Sequence, residues 1–137
     1  MYHCTEDDLY LIPTAEVPLT NLFRGDLLKA DDLPIQLCGY TPCFRREAGS
    51  YGKDVRGLNR LHQFDKLELE SFSTADTAHD EHLLFAAIQE RLMQLLELPY
   101  QKLQKCTFDI GKPNAKGSDI EAWLPGQDKY STSQPLA

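Results

Sequence analysis

The sequence has no long apolar run. None of its 137 residues belongs to a stretch near the roughly 18 consecutive apolar residues that a membrane-spanning helix needs. The first residues, Met1 to Asp8, also lack the basic start and the apolar stretch of a secretory signal. These features predict a cytoplasmic protein with no membrane partner.

Cysteines are few and scattered. The four cysteines, at positions 4, 38, 43 and 106, form no C-x-x-C pair. Their spacing therefore indicates neither a disulfide framework nor a zinc ribbon. We expect reduced, structural thiols at Cys4, Cys38, Cys43 and Cys106.

Basic residues are also fewer than acidic residues. The chain carries 14 lysines and arginines against 21 acids, a net charge of −7, which argues against a general nucleic-acid binder. Residues 44–62 are the exception, with five lysines and arginines against two acids. A basic island in an acidic chain fits a specific anion site better than a broad RNA-binding face.

Two short motifs suggest sites but lack the order that those sites need. His79 and His82 do not form H-E-x-x-H, so we expect solvated histidines and no metal. The glycine-bounded basic segment 111–117 lacks the G-x-x-x-x-G-K-[ST] order of a phosphate-binding loop. It is more typical of a surface turn.

The first half of the chain predicts strands around one long loop. The apolar run Leu9 to Ile12 predicts a short buried strand before Pro13. Extended segments are predicted at 34–40 and, after Pro42, at 43–47. Alternation over 61–73 predicts another strand, which would pair with them as an antiparallel hairpin across a glycine-rich loop.

A helix and two more strands follow. Apolar residues recur at helical spacing, and Ser73 or Thr74 could cap a helix that Pro99 stops. Segments 100–108 and 118–124 predict further strands. The fold class is therefore α+β, an antiparallel β-sheet flanked by helices, with one helix covering a face of the sheet. The apolar positions of the helix are Leu84, Ile88, Leu92 and Leu95.

The segment 44–68 combines residues that suit a nucleotide. Arg45 and Glu47 are two apart on one predicted strand, and Phe64 and Glu68 share a face of the next. A guanidinium suits a phosphate, a carboxylate suits an exocyclic amine, and an aromatic ring can stack on a base. The alternative is an exposed hairpin whose charges only keep it soluble.

Thr14, Ala15 and Glu16 follow the first predicted strand and allow two interpretations. Thr14 could be the N-cap of a helix that begins at Ala15 and ends at Gly25, with Glu16 near the positive end of its dipole. Alternatively, the hydroxyl and the carboxylate could bind a small ammonium ligand. The pattern alone favours the cap.

Several motifs resemble the seryl-tRNA synthetase family. The T-A-E triplet at 14–16 lies in one similar stretch, and segment 39–68, with F-R-x-E and R-x-H-Q-F-x-K-x-E, resembles motif 2 of the class II synthetases. The similarity continues through 95–100 and 119–125. It implies that 1–137 is a partial class II catalytic domain, with motif 2 at about 39–70.

The resemblance also implies a reaction and its partners. Serine and ATP would form seryl-adenylate, and serine would then pass to tRNA(Ser), with Mg²⁺ and a homodimer in the parent enzyme. Arg45 would be the catalytic residue that binds the α-phosphate. Serine would be bound by Thr14, Ala15, Glu16, Arg45 and Glu68. ATP would be bound by Arg45, Arg46, Glu47, Leu61, His62, Gln63 and Phe64, and the tRNA acceptor end would meet Lys53, Arg56 and Arg60.

Other parts of the family pattern have no counterpart in the chain. Motif 1, motif 3 and the N-terminal tRNA-binding arm are absent, and after Tyr130 the chain lacks the acid that binds metal in the family. We therefore expect this chain to bind serine or ATP at most weakly and not to charge tRNA. The alternatives are an amino acid:carrier-protein ligase, or a non-catalytic binding module that keeps the fold.

Overall fold

A computed structural model of the chain describes residues 1–47 and 61–132. The chain divides into two compact units, Met1–Ala78 and His79–Ala137. The first unit contains β1 (His3–Cys4), β2 (Leu9–Tyr10), α1 (Glu16–Thr20), a 3₁₀ turn (Ala30–Asp32), β3 (Ile35–Phe44) and β4 (Gln63–Phe72). The second contains α2 (Ala78–Leu95), β5 (Tyr100–Gln104), β6 (Ser118–Leu124) and β7 (Lys129–Thr132).

Strands β3 and β4 form an antiparallel hairpin, which confirms the predicted pairing. Their register runs from Ile35 opposite Phe72 to Phe44 opposite Gln63. One face, called the inner face below, is covered by α1. By alternation along the two strands, its residues are Ile35, Leu37, Gly39, Thr41 and Cys43 of β3 and Phe64, Lys66, Glu68, Glu70 and Phe72 of β4.

Pro42 lies inside one continuous strand, so the prediction of two separate extended pieces was wrong. The backbone N–H of Phe44 points away from β4, donating to the Ile12 carbonyl at 2.8 Å. Because backbone N–H directions alternate along a strand, the nitrogen of Pro42 also points away from β4. Proline therefore removes no hydrogen bond from the hairpin.

The short elements near the N-terminus differ from their prediction. Leu9 and Tyr10 are 62% and 57% exposed, so the prediction of a buried strand was wrong. Strand β2 pairs with the two-residue β1. Helix α1 has Ala15, not Thr14, at its N-cap. It ends at Thr20, and Gly25, with φ of 88°, closes the following turn instead.

Helix α2 begins later and ends earlier than predicted. The Thr74 carbonyl accepts hydrogen bonds from the N–H groups of Thr77 and Ala78, so a turn precedes the helix. At the other end, Leu98 N–H donates to Met93 and Glu97 N–H donates to Gln94, with Glu97 at φ of 55°. This is a Schellman motif, which ends the helix before Pro99.

In the second unit, β5, β6 and β7 form an antiparallel sheet in that order. Strand β5 is shorter than predicted, and β7 was not predicted. Two polar contacts link α2 to the sheet: His82 Nε2 lies 3.0 Å from Ser118 Oγ, and Lys102 Nζ forms an ion pair of 2.8 Å with Glu90 Oε1. The predicted apolar stripe is instead largely exposed at Leu84, Leu92 and Leu95.

All four cysteines are free, as predicted, but only Cys43 is buried. Cys4, Cys38 and Cys106 are exposed, so a structural role fits Cys43 alone. None of the helices in residues 1–47 and 61–132 is both long enough and apolar enough to cross a bilayer.

Candidate functional site

A cluster of three side chains joins the start of α1 to β4. Thr14 Oγ1 donates a hydrogen bond of 2.7 Å to Glu68 Oε1 and accepts one of 3.1 Å from Lys66 Nζ. Lys66 Nζ also forms an ion pair with Glu68 Oε1. The Lys66 and Glu68 side chains are only 15% and 13% exposed. The cluster is therefore a partly buried, charged arrangement at the inner face.

Gly39 allows α1 to lie close enough to the sheet to form this cluster. It lies opposite Glu68 in the hairpin register. A Cβ at this position would come within 2.9 Å of Leu19 Cδ1 and 3.4 Å of Ala15 Cβ. Any larger residue would push against α1. The close approach brings Thr14 over the carboxylate of Glu68.

The cluster lies in an acidic environment. The pKa of Glu70 is raised, mainly by burial and further by the negative charges of Glu16 and Glu68, while a hydrogen bond from Thr20 opposes the shift. Three carboxylates therefore lie near one another, and Lys66 is paired with one of them. Their field favours a cationic group such as an ammonium.

Arg45 and Phe64 form a second part of the site. The Arg45 guanidinium carbon is 5.3 Å from the centroid of the Phe64 ring, a cation–π contact. Arg45 Nε donates to the Pro13 carbonyl at 3.1 Å, and its backbone N–H donates to the His62 carbonyl at 2.9 Å. The Phe64 ring and the Arg45 guanidinium, which the Pro13 carbonyl helps to position, therefore lie next to each other.

Some predicted site residues are brought together and others are not. Glu47 does not share a strand face with Arg45, because β3 ends at Phe44 and Glu47 has φ of 52°. Gln63 pairs with Phe44 and lies, by alternation, on the face opposite to Phe64. Ala15 is buried, whereas Glu16, Arg46, Leu61 and His62 are exposed. Lys53, Arg56 and Arg60 lie outside the described residues.

His62, at the end of the hairpin, contacts the N-terminal segment. Its Nδ1 atom lies 2.6 Å from the Tyr2 hydroxyl. Because Arg45 also bonds the His62 carbonyl, the N-terminal segment is tied to the end of the hairpin.

Lys66 and Glu70 belong to the site but were not among the predicted site residues. The signal was present, because both residues are an even number of positions from Phe64 and Glu68 and so share their face. Glu70 also needs the fold to bring Glu16 near it, which spacing along one strand does not show.

The family model described as the tRNA synthetase class II core domain (G, H, P, S and T) matches residues 2–134. Among curated proteins, the serine–tRNA ligase of Hydrogenobaculum sp. is 55% identical over 130 residues, covering 95% of this chain and 31% of that protein. The serine–tRNA ligase of Thermosynechococcus vestitus is also 55% identical, covering 94% of this chain and 30% of that protein.

Two solved structures are similar in fold. Seryl-tRNA synthetase from Pyrococcus horikoshii, complexed with ATP, has a TM-score of 0.87 and 44% identity, covering 96% of this chain and 29% of that one. Cytoplasmic serine–tRNA ligase from Naegleria fowleri, in complex with AMP, has a TM-score of 0.81 and 33% identity, covering 90% of this chain and 30% of that one.

The chain spans about three-tenths of the length of these relatives. Their folds confirm the predicted α+β class II core, and the family model covers nearly the whole chain. The chain therefore belongs to the class II tRNA synthetase core family that serves glycine, histidine, proline, serine and threonine.

Proposed function

We propose that this chain carries the serine site and one wall of the ATP site of a serine–tRNA ligase. The observation that carries the proposal is the contact of Thr14 with Glu68, which joins the T-A-E triplet to the end of motif 2. Two further findings support it. Relatives more than 50% identical are serine–tRNA ligases, and two similar structures were solved with ATP or AMP.

The part of the site that would bind serine consists of the cluster of Thr14, Lys66 and Glu68 and the carboxylates near it. Glu68 would accept hydrogen bonds from the ammonium or the hydroxyl group of serine, and the charges of Glu16 and Glu70 favour an ammonium. A site that hydrogen-bonds a hydroxyl rejects alanine, because a partly buried acceptor would lose its partner. Serine would be bound by Thr14, Ala15, Glu16, Arg45 and Glu68.

The ATP half uses the wall formed by Arg45 and Phe64. The ring would stack on adenine, and the guanidinium would bind the α-phosphate together with the serine carboxylate. Glu47 would accept a hydrogen bond from the adenine amino group. The rest of the nucleotide surface would be Arg46, Leu61, His62 and Gln63.

The reaction follows from this arrangement. A carboxylate oxygen of serine forms a bond to the α-phosphorus of ATP, the bond from that phosphorus to the β-phosphate oxygen breaks, and pyrophosphate leaves. Two anions must approach each other, so a positioned guanidinium lowers the barrier without a general base. Arg45 would supply that charge.

The later steps involve tRNA(Ser) and residues outside the part of the chain that the structure describes. Serine would pass from seryl-adenylate to the 3′ end of tRNA(Ser), near Lys53, Arg56 and Arg60. The protein would act in the cytoplasm as a homodimer, as the family resemblance implies. Among residues 1–47 and 61–132, no group of three or more His, Cys, Asp or Glu side chains has the arrangement of a metal site. The Mg²⁺ of the parent enzyme would accompany ATP, because this ion usually binds through one or two carboxylates together with substrate phosphates.

Calorimetric titration of the complete gene product with serine, alanine and ATP tests the proposal. We expect serine to bind more tightly than alanine, and Glu68→Gln to weaken serine binding at least about tenfold. Asp65→Asn is the matched control, because Asp65 is a carboxylate on the opposite face of the same strand. Failure of all three ligands to bind would favour a non-catalytic module.

A further inference from the structure

We infer that Lys66 is a positioning residue that fixes the carboxylate of Glu68, so that one oxygen, Oε2, is presented to serine. The inference rests on the proposed function, because it deepens the account of the same site.

The hydrogen-bonding capacity of Thr14 is used within the protein. A hydroxyl has one proton to donate and two lone pairs that accept. Thr14 donates to Glu68 Oε1, accepts from Lys66 Nζ, and accepts a longer bond of 3.4 Å from the Glu16 backbone N–H. The two shorter bonds join Thr14 to both Glu68 and Lys66.

The two oxygens of Glu68 are used unequally. Oε1 accepts both the Thr14 hydroxyl and the Lys66 ammonium. Among residues 1–47 and 61–132, no hydrogen bond or ion pair reaches Oε2. A carboxylate held through one oxygen has a fixed plane, and its second oxygen then points in one direction. That oxygen is the acceptor available to a ligand.

Lys66 supplies the positive charge in this arrangement. Glu68 lies near Glu70, and the two carboxylates repel each other. The Lys66 ammonium is held against both Thr14 and Glu68. Removing one partner of a partly buried ion pair leaves the other without compensation. Without Lys66, Glu68 would turn towards solvent, and serine would lose its selective acceptor.

The test measures serine and alanine binding to the complete gene product with Lys66→Met, alone and combined with Glu68→Gln. With Oε2 presented to the serine hydroxyl, we expect Lys66→Met to weaken serine binding about tenfold and alanine binding less than about twofold, because alanine has no hydroxyl to donate to that oxygen. In the Glu68→Gln background, Lys66→Met should change serine binding less than about twofold, since coupled residues are not additive.

Lys66→Arg keeps the charge and should restore most of the serine affinity that Lys66→Met loses. If Lys66→Met does not fold, the Lys66→Arg protein carries the test, and an affinity for serine as low as that of Glu68→Gln overturns the inference. Lys102→Met is the matched control, because Lys102 forms its ion pair with Glu90 in the second unit.

These measurements distinguish a failure of the role inferred for Lys66 from a failure of the proposed function. If the unmodified protein binds serine and Lys66→Met binds it equally well, the inference is wrong and the proposed function stands. Additive effects of Lys66→Met and Glu68→Gln would also overturn the inference. If the unmodified protein does not bind serine at all, the proposed function fails and the inference fails with it.

Discussion

At the scale of single residues, Glu70 shows how the site sets the chemistry of its members. Its pKa is raised mainly by burial, then by Glu16 and Glu68. The folded protein therefore holds the Glu70 proton more tightly than the unfolded chain does, and ionisation of Glu70 opposes folding. The stability that protonated Glu70 contributes is fully present below the unfolded pKa and is lost as pH rises through the folded pKa.

Replacing Glu70 by glutamine should therefore stabilise the protein in a pH-dependent way. We expect Glu70→Gln to raise the free energy of unfolding by about 0.5 kcal/mol near pH 7, a small value because the group is partly solvated. The gain should vanish near pH 4, where both states are largely protonated. Urea denaturation at the two pH values measures it.

Glu6→Gln is the control for loss of one negative charge, because Glu6 is exposed in the turn between β1 and β2. An equal gain for Glu70→Gln at both pH values would contradict the electrostatic explanation.

Thr14 shows what residue patterns could and could not predict about the site. Spacing alone favoured an N-cap, because a threonine before a helical segment usually serves that role. The fold brings Thr14 to Glu68, 54 positions away in sequence. Family motifs indicated that both residues belong to one site, but only the contacts show that Lys66 binds both of them.

At the scale of elements, strong periodicity of apolar residues predicted which helices and strands exist better than it predicted where they begin and end. The β3–β4 pairing and α2 follow from alternating and helical apolar patterns. Strands β1 and β7 are only two and four residues long, too short for a periodic signal. The end of α2 depends on Glu97 in a left-handed conformation, whereas the sequence shows a more obvious stop signal at Pro99.

This helix end gives a second stability prediction. Glycine adopts positive φ without the strain that a side chain brings. We expect Glu97→Gly to raise the free energy of unfolding by about 0.5–1 kcal/mol, since glycine is the usual residue at this position of a Schellman motif. Thermal and urea denaturation, followed by a spectroscopic signal from the second unit, would measure the gain in the free energy of unfolding.

Gln89→Gly provides a control of opposite sign within α2. Gln89 is exposed in the helix interior, where glycine should destabilise by about 1 kcal/mol. If Glu97→Gly also destabilised the protein, the account of this helix end would be wrong.

At the scale of the whole molecule, each unit leaves apolar side chains in solvent. The outer face of the β3–β4 hairpin exposes Tyr40 and Leu67 at 67% and 54%, and α2 exposes Leu92 and Leu95 at 46% and 61%. Contiguous exposed apolar surface promotes association.

We therefore expect the 137-residue chain to self-associate as its concentration rises. Leu67→Lys and Leu95→Lys should each reduce the association, because a charge at the surface opposes burial in an interface. Sedimentation velocity over a concentration series measures the effect. Lys129→Arg, which keeps the charge in β7, is the control. A chain that stays monomeric over the whole series would contradict this prediction.

Serine binding by the cluster around Glu68 can be tested with a ¹H–¹⁵N correlation spectrum of the labelled protein titrated with serine. We predict shifts at the amides of Thr14, Lys66 and Glu68, with alanine producing much smaller ones. Addition of ATP should instead shift Arg45 and Phe64. Serine-induced shifts that spare this cluster and fall only in β5, β6 and β7 would contradict the account.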